Sequence, residues 1–307
     1  MSKMERKTNR SIVRIILSVA RAWIYEPLTL LATDKRAVAG FIIVLFYVGL
    51  AVIGPMVVPL NLTPNLESAY LPPSLEHPLG TDPWGRDIFA QLVHGAPDML
   101  IVAFLAGLIT VLVGTVVGIF SGYSGGTVDL IVMTITDIVL TIPGFPLLMV
   151  IAAFLIGSGI EVNIFMAAAL LSITSWAGLA RSVRSQILSI KREPYIEVSQ
   201  TLGLGKLHII FSEIMPNILP YIVMNLILSM IGALYSYVGL MALGLLPYRP
   251  GNWGAMMHMA MAVSGTVTGV GSWYVLAPAA AVTILQIGLV LFSNGIDKIF
   301  NPRLREK

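Results

Sequence analysis

A chain of 307 residues that is 56% hydrophobic and only 11% charged is not an ordinary soluble domain, which carries about 25% charged residues. It has no cysteine, so disulfides and thiol chemistry are excluded. The net charge of +3 is small, and the placement of charge says more than its sum.

Apolar residues fall in long runs, each close to the ~20 residues that a helix needs to cross the hydrocarbon core. In chain order, residues 1–36 read as a basic cytoplasmic or interfacial segment. Within it, 10–31 predicts an amphipathic helix with Arg10, Arg14, Ser18 and Arg21 on one face, the pattern of a helix lying in the membrane interface; a solvated basic leader is the plainer alternative. Arg14, Arg21 and Glu26 interrupt the apolar stretch, which argues against a secretory signal. The first span is 37–58. A Pro- and Gly-rich segment follows over 59–96 and reads as an extracytoplasmic functional loop. The core, 97–297, holds spans near 99–121, 130–155, 162–181, 216–240 and 272–296, with an inner segment over 184–215 and a tail over 298–307. Helices are expected because lipid cannot satisfy open backbone groups. The expected fold is therefore an all-α integral membrane protein with six transmembrane helices. No repeat of solenoid length is visible.

Of the 19 Lys and Arg, all but Arg86 and Arg249 fall before the first span, between the fourth and fifth, or in the tail. With six spans those segments share one side, and the positive-inside rule makes it cytoplasmic. Both termini are expected there. The 245–271 segment is then outside, or folded back into the outer half of the membrane.

Several stretches carry two readings. Gly80, Thr81, Asp82, Gly85, Arg86 and Asp87 suit a docking or gating loop. They suit equally a self-satisfied turn in which Asp82 or Asp87 caps a helix and pairs with Arg86. Asp137 sits near mid-membrane, where a carboxylate is costly and marks a functional candidate: it lines a translocation path, or it is a buried partner for Thr residues or for an Arg of a second subunit. Pro143-Gly-Phe-Pro146 breaks the third span, as a hinge or a static kink. Met256-Met-His-Met-Ala-Met261 suits Cu(I) or plain core filling, and the second is preferred. Gly122-Tyr-Ser-Gly125 resembles a serine-nucleophile motif, but no histidine is expected at its depth. His94 and His208 read as surface groups.

The inner segment is the most informative. Pro194 suits the first turn of a short helix, Ile196, Ser199, Gln200 and Gly203 share one face of it, and Gly203 and Gly205 favour its end and a sharp bend. Pro216 opens the fifth span. Such a helix, projecting toward the cytosol, is what a transporter needs to receive force from a soluble motor. The chain has no phosphate loop of its own, since Gly205-Lys206 is followed by Leu207.

Glu197-Val-Ser, three residues, Gly203, nine residues and a short apolar stretch ending at Pro216 resemble the EAA loop of ABC importer permeases. Val198 and Ser199 stand where that loop has two alanines, and Met215 where leucine is usual. His77-Pro-Leu-Gly-Thr-Asp-Pro-Trp-Gly-Arg-Asp87, Asp137 to Pro143, Asn252-Trp-Gly-Ala-Met256 and Pro302-Arg303 resemble the dipeptide/oligopeptide/nickel permeases, specifically the second of their two paired subunits. The resemblance implies a type I ABC importer permease. It makes Glu197, Val198, Ser199, Gly203 and Leu204, with Pro216 in register, the surface that couples to an ATPase, and it puts Trp253 in the last outer loop. It implies a homologous second permease, two ABC ATPases, an extracytoplasmic substrate-binding protein and the bilayer as partners, with no nucleic acid. ATP and Mg belong to the ATPases; this chain carries no cofactor and no catalytic residue. Di- or oligopeptides are the implied cargo, with oligosaccharides or nickel as alternatives. An ATP-independent secondary transporter would show inverted repeats, and a channel or scaffold would need no motor.

Overall fold

The computed structural model describes residues 34–264, 269 and 271–300; the helix expected over 10–31 and most of the tail lie outside the described residues. Among the described residues all regular structure is helical, apart from a single isolated bridge between Thr81 and Asp87. Helix α1 spans Lys35–Val57, and the Asp34 side chain caps it by accepting from Arg36 N at 2.9 Å. Helix α2 spans Ile88–Ser124. At ~1.5 Å per residue its length of about 56 Å exceeds the hydrocarbon core. It starts well before the charge-free run at Met99 because the Asp87 carboxylate caps it, accepting from Ala90 N at 2.7 Å.

Gly125, at φ +67, separates α2 from α3, Gly126–Thr141. Pro143 then turns the chain by 79° into α4, Gly144–Gly157, the break expected from the sequence. A second break was not expected. Helices α5, Ile164–Ser172, and α6, Trp176–Ile190, meet at 55°. There the Ser172 and Ser175 hydroxyls donate back to the Ala168 and Leu171 carbonyls, a pattern that bends helices. After α7, Pro194–Thr201, comes α8, Lys206–Ala242, which includes a π-turn over Ile209–Ile214. Helices α9, Trp253–Ser264, and α10, Ser272–Phe300, complete the bundle. Helices α1, α2, α8 and α10 are each long and apolar enough to cross a membrane, and the number rises to six if each bent pair is one span.

The central element is α2, which packs against α1, α3, α5, α6 and α8. Gly114, Gly118 and Gly122 recur at every fourth position and form a groove for α6. A Cβ at Gly118 would stand 2.6 Å from the Ala180 carbonyl oxygen. Small residues at this spacing let helix backbones approach in lipid. Gly40 of α1 and Gly288 of α10 do the same: a Cβ at Gly40 would lie 2.4 Å from Phe292 N.

These contacts order the bundle ends. The Tyr47 hydroxyl donates to Ala281 O at 2.8 Å, and a His94 ring nitrogen lies 2.7 Å from Val58 O. His94 is thus half-buried between α1 and α2, not a surface group as expected, whereas His208 is exposed. The start of α1, the end of α2 and the end of α10 lie at one end of the bundle. Lys191 lies at that end too, its Nζ donating to Tyr123 O at 2.9 Å. This is the basic end. Arg86 and Arg249 lie at the opposite one.

Candidate functional site

At the basic end, a separate hydrophobic cluster of Val183, Ile187, Ile196, Ile209 and Ile214 seats α7. Pro194 occupies its first turn, Leu202 closes it, and Gly203 leaves it at φ +74, the left-handed conformation that ends helices. Ile196 is fully buried and Ser199 nearly so. The Ser199 hydroxyl donates to Tyr195 O at 3.0 Å. This corrects the expectation for Ser199: it points into the protein and is not part of a free contact surface. Gln200, expected on the same face as Ile196, is exposed. Glu197, Val198, Gly203 and Leu204 are exposed as a contact surface requires, and Leu202, Leu207 and Phe211 extend the apolar part of that surface. Pro216 is exposed in the first turn of the α-helical part of α8. Next to it, Asn217 Nδ2 donates to the Tyr195 hydroxyl at 3.2 Å, tying α7 to α8. Burial, with Glu193 and Glu213 nearby, pushes the Tyr195 phenol above its ordinary pKa, so it stays neutral in this contact.

Lys191 docks the end of α6 on the end of α2, where open carbonyls and the helix dipole favour a cation. The Gly122–Gly125 stretch is thereby the last turn and cap of α2, clamped by the Lys191 ammonium. It is a structural joint, and among the hydrogen bonds of the described residues none links Ser124 to a histidine.

Two ion pairs join α3 to α6. Arg184 Nε donates to Asp129 Oδ1 at 2.5 Å, and Ser121 Oγ donates to the same carboxylate oxygen. Further along both helices, Arg181 donates to Asp137. Within this chain the partner of Asp137 is thus Arg181 rather than a threonine. The two side chains are 58% and 55% exposed on the surface of this chain.

At the opposite end, the 80–87 segment is a closed hydrogen-bonded turn. Asp82 is fully buried and accepts from Trp84 N, Arg86 N, Arg86 Nε and Gln91 Nε2 at 2.9, 3.0, 2.7 and 3.0 Å. Thr81 Oγ1 donates to Ser68 O at 2.5 Å. Gly80 and Gly85 have φ of +76 and +74, and a Cβ at Gly85 would collide with Asn65 O at 1.9 Å. Burial alone would lower the Arg86 pKa, but Asp82 outweighs it and raises it above its ordinary value. Asp87 caps α2 and its other oxygen lies 2.8 Å from His77 Nδ1.

Trp253, which the resemblance puts in the last outer loop, stands in a helix, as the folded-back alternative for 245–271 allows. It opens α9, is fully buried, and its Nε1 donates to Leu92 O at 2.9 Å. The stretch it begins is folded back into the bundle. Met256 is buried in the core while Met261 is exposed, and His258 Nδ1 lies 2.9 Å from Ala242 O, so the Met-rich stretch diverges around a helix.

A network that the sequence reading missed lies beside Trp253. Asp98 accepts from the Tyr237 hydroxyl and from Asn252 Nδ2, each at 2.7 Å, and Arg249 NH1 stands 3.4 Å from it. Arg249 NH2 donates to Val162 O at 3.0 Å. One carboxylate thus holds α2, α8 and the entry to α9 together. The signal was present: Asp98 is the residue just before a charge-free run, and Arg249 is one of only two basic residues off the basic end. Asp98→Asn leaves these donors with a weaker, uncharged acceptor and is expected to destabilise the fold by about 1–3 kcal/mol, read as a lowered midpoint of thermal unfolding in detergent.

The family model described as "Binding-protein-dependent transport system inner membrane component" matches residues 114–306. The dipeptide transport system permease protein DppC of Bacillus subtilis is 32% identical over 277 residues, covering 90% of this chain and 84% of that protein. The oligopeptide transport system permease protein OppC of the same organism is 32% identical over 276 residues, 89% of this chain and 88% of that protein. The probable D,D-dipeptide transport system permease protein DdpC of Escherichia coli is 32% identical over 241 residues, 78% of each chain.

Proposed function

The chain belongs to the inner membrane components of binding-protein-dependent transport systems, a multi-pass permease family, and from that membership we propose that it is one permease subunit of an ATP-driven importer of peptides. The peptide cargo is inferred from relatives named for dipeptide and oligopeptide transport. In this reading the bundle crosses the membrane six times with its basic end in the cytoplasm, as the positive-inside rule directs, so both termini are cytoplasmic. Two ATPase subunits, with ATP and Mg, supply the energy. A second permease completes the path, and an extracytoplasmic binding protein delivers cargo at the Arg86 and Arg249 end.

The observation that carries the reading is α7. A short helix is fixed to the bundle by buried Ile196, yet displays Glu197, Val198, Leu202 and Leu204 around a left-handed Gly203 at the basic end. A stable monomer does not gain from holding apolar side chains out beyond its membrane-spanning core, and a central apolar anchor with a polar rim is what a docking protein needs. Closure of the ATPase pair around nucleotide would push α7, and through Ile196 and the second core move α6 and α8. Alternating access follows if that movement switches the path between outward- and inward-open states.

Replacing Gly203 by proline tests this. Proline fixes φ near −65°, whereas Gly203 has φ +74 and open space around it, so the change redirects the loop without disturbing the bundle. Expected are normal membrane insertion and loss of the link between peptide uptake and ATP hydrolysis. Unchanged substrate-stimulated ATPase activity with unchanged uptake would count against the assignment.

A further inference from the structure

The Asp137–Arg181 pair is out of place for a lipid-facing surface. At ~1.5 Å per residue, Asp137 lies about 16 Å along α3 from its Gly126 end and Arg181 about 14 Å along α6 from its Ile190 end. Two independent helices thus set the pair at one height, about 14–16 Å in from the basic end of the bundle; because α2 overhangs a hydrocarbon core ~30 Å thick, that height lies in the basic half of the membrane. Yet both side chains are more than half exposed, and intramembrane charges face water or protein, not lipid.

The surroundings agree. The free face of α6 presents Gly178, Arg181, Ser185 and Gln186, all exposed, and its apolar residues Ala180, Val183 and Ile187 are turned inward onto α2. On α3, exposed Thr134 and Thr141 flank Asp137, their hydroxyls donating to the Leu130 and Ile138 carbonyls; exposed Leu130 and Ile138 stand beside them, and exposed Ile131 and Ile135 occupy the other side. The space beside Gly178 is open. Among the hydrogen bonds of the described residues, the pair makes one contact, from Arg181 NH2 to Asp137 Oδ1. The remaining guanidinium N–H groups and the second carboxylate oxygen are left for a visitor.

We propose that Asp137 and Arg181 form a two-charge subsite in the translocation path, Asp137 receiving the ammonium group and Arg181 the carboxylate of a zwitterionic peptide; the proposal rests on the importer reading above. The pair closes on itself when the path is empty. A solute that brings both charges replaces each partner with an equivalent one, so neither ion is stranded. A solute with one terminus blocked offers only one of the two charge-assisted hydrogen bonds and is held less well.

The test uses the assembled importer in proteoliposomes, with its second permease, ATPases and binding protein. Trialanine, N-acetyl-trialanine and trialanine amide are the probes. For Asp137→Asn, the preference for trialanine over the N-acetyl form is expected to fall at least tenfold with the preference over the amide retained. Arg181→Gln is expected to do the reverse. Equal loss of uptake for all three probes would make the pair structural and overturn the subsite. So would unchanged ratios, which leave the importer reading intact; absence of peptide uptake in the unmodified assembly would instead sink the importer reading, and the subsite with it.

A second measurement does not depend on the variants' activity. The chain has no native cysteine, so single cysteines can be read on this subunit by mass. Gly178→Cys and Ser185→Cys are expected to react with a membrane-impermeant thiosulfonate, and Ile131→Cys and Ile135→Cys are not. No difference between the two pairs overturns the water-lined face and the proposal.

Discussion

Val198→Asp is expected to leave a folded, membrane-inserted permease that no longer retains its ATPase partners or supports ATP-dependent uptake. Val198 is 58% exposed on the free face of α7 and makes no core contact. An exposed substitution of this kind changes stability by only about 0.5 kcal/mol. On the proposed docking surface the same side chain stands among exposed Leu202, Leu204 and Leu207, and a carboxylate there would enter an interface without a partner. Losing one central anchor costs about 2 kcal/mol or more, which is about thirtyfold in affinity. Copurification of the ATPase with wild-type and variant permease, together with uptake in vesicles, reads both effects. Wild-type retention of the ATPase would contradict the role given to α7.

The second large effect lies at the opposite end. Arg86→Ala removes the one guanidinium that, among the described residues, pairs with Asp82, whose side chain is completely buried. Breaking a buried pair from one side costs about 3–5 kcal/mol because the other charge is left stranded. Two backbone N–H groups and Gln91 still hold the carboxylate, which keeps the expected loss toward the lower end of that range. The yield of folded permease should fall well before affinity for the binding protein does. Normal yield with lost docking would make the 80–87 segment a recognition loop rather than a structural turn. Asp82→Asn with Arg86→Gln, which keeps hydrogen-bonding groups and removes both charges, is expected to recover part of the yield.

Which parts of this architecture could be read in advance follows from the range of the interactions that set them. Pro194, Gly203 and Pro216 act on their own backbone, so the short helix α7 and the start of the α-helical part of α8 were legible from spacing alone. Pro143 likewise announced its own bend. The α5/α6 break has no proline or glycine at Ile173, Thr174 or Ser175; it rests on serine hydroxyls competing for helix carbonyls, a weaker local signal. The start of α2 was placed late because absence of charge marks lipid exposure, whereas Asp87 marks the helix end. Ser199 was assigned to the contact surface although Ile196, three residues earlier, shares its side of the helix and had to be inside. Trp253 and Asp98 were out of reach for a different reason: Trp253 meets Leu92 and Asp98 meets Tyr237 and Asn252 across about half of the chain. The glycine stripe of α2 was readable, since Gly114, Gly118 and Gly122 repeat at the helix period, and it forecasts a close neighbour without saying that the neighbour is α6.

The central claim is that this chain moves peptide through the membrane only when a separate ATPase drives it. The most direct measurement is uptake of a labelled oligopeptide into proteoliposomes containing the assembled complex, with ATP, without ATP, and with ATP but with the permease carrying Val198→Asp. The expected result is accumulation in the first condition and none in the other two. Accumulation without ATP, or driven equally well by an ion gradient alone, would contradict it.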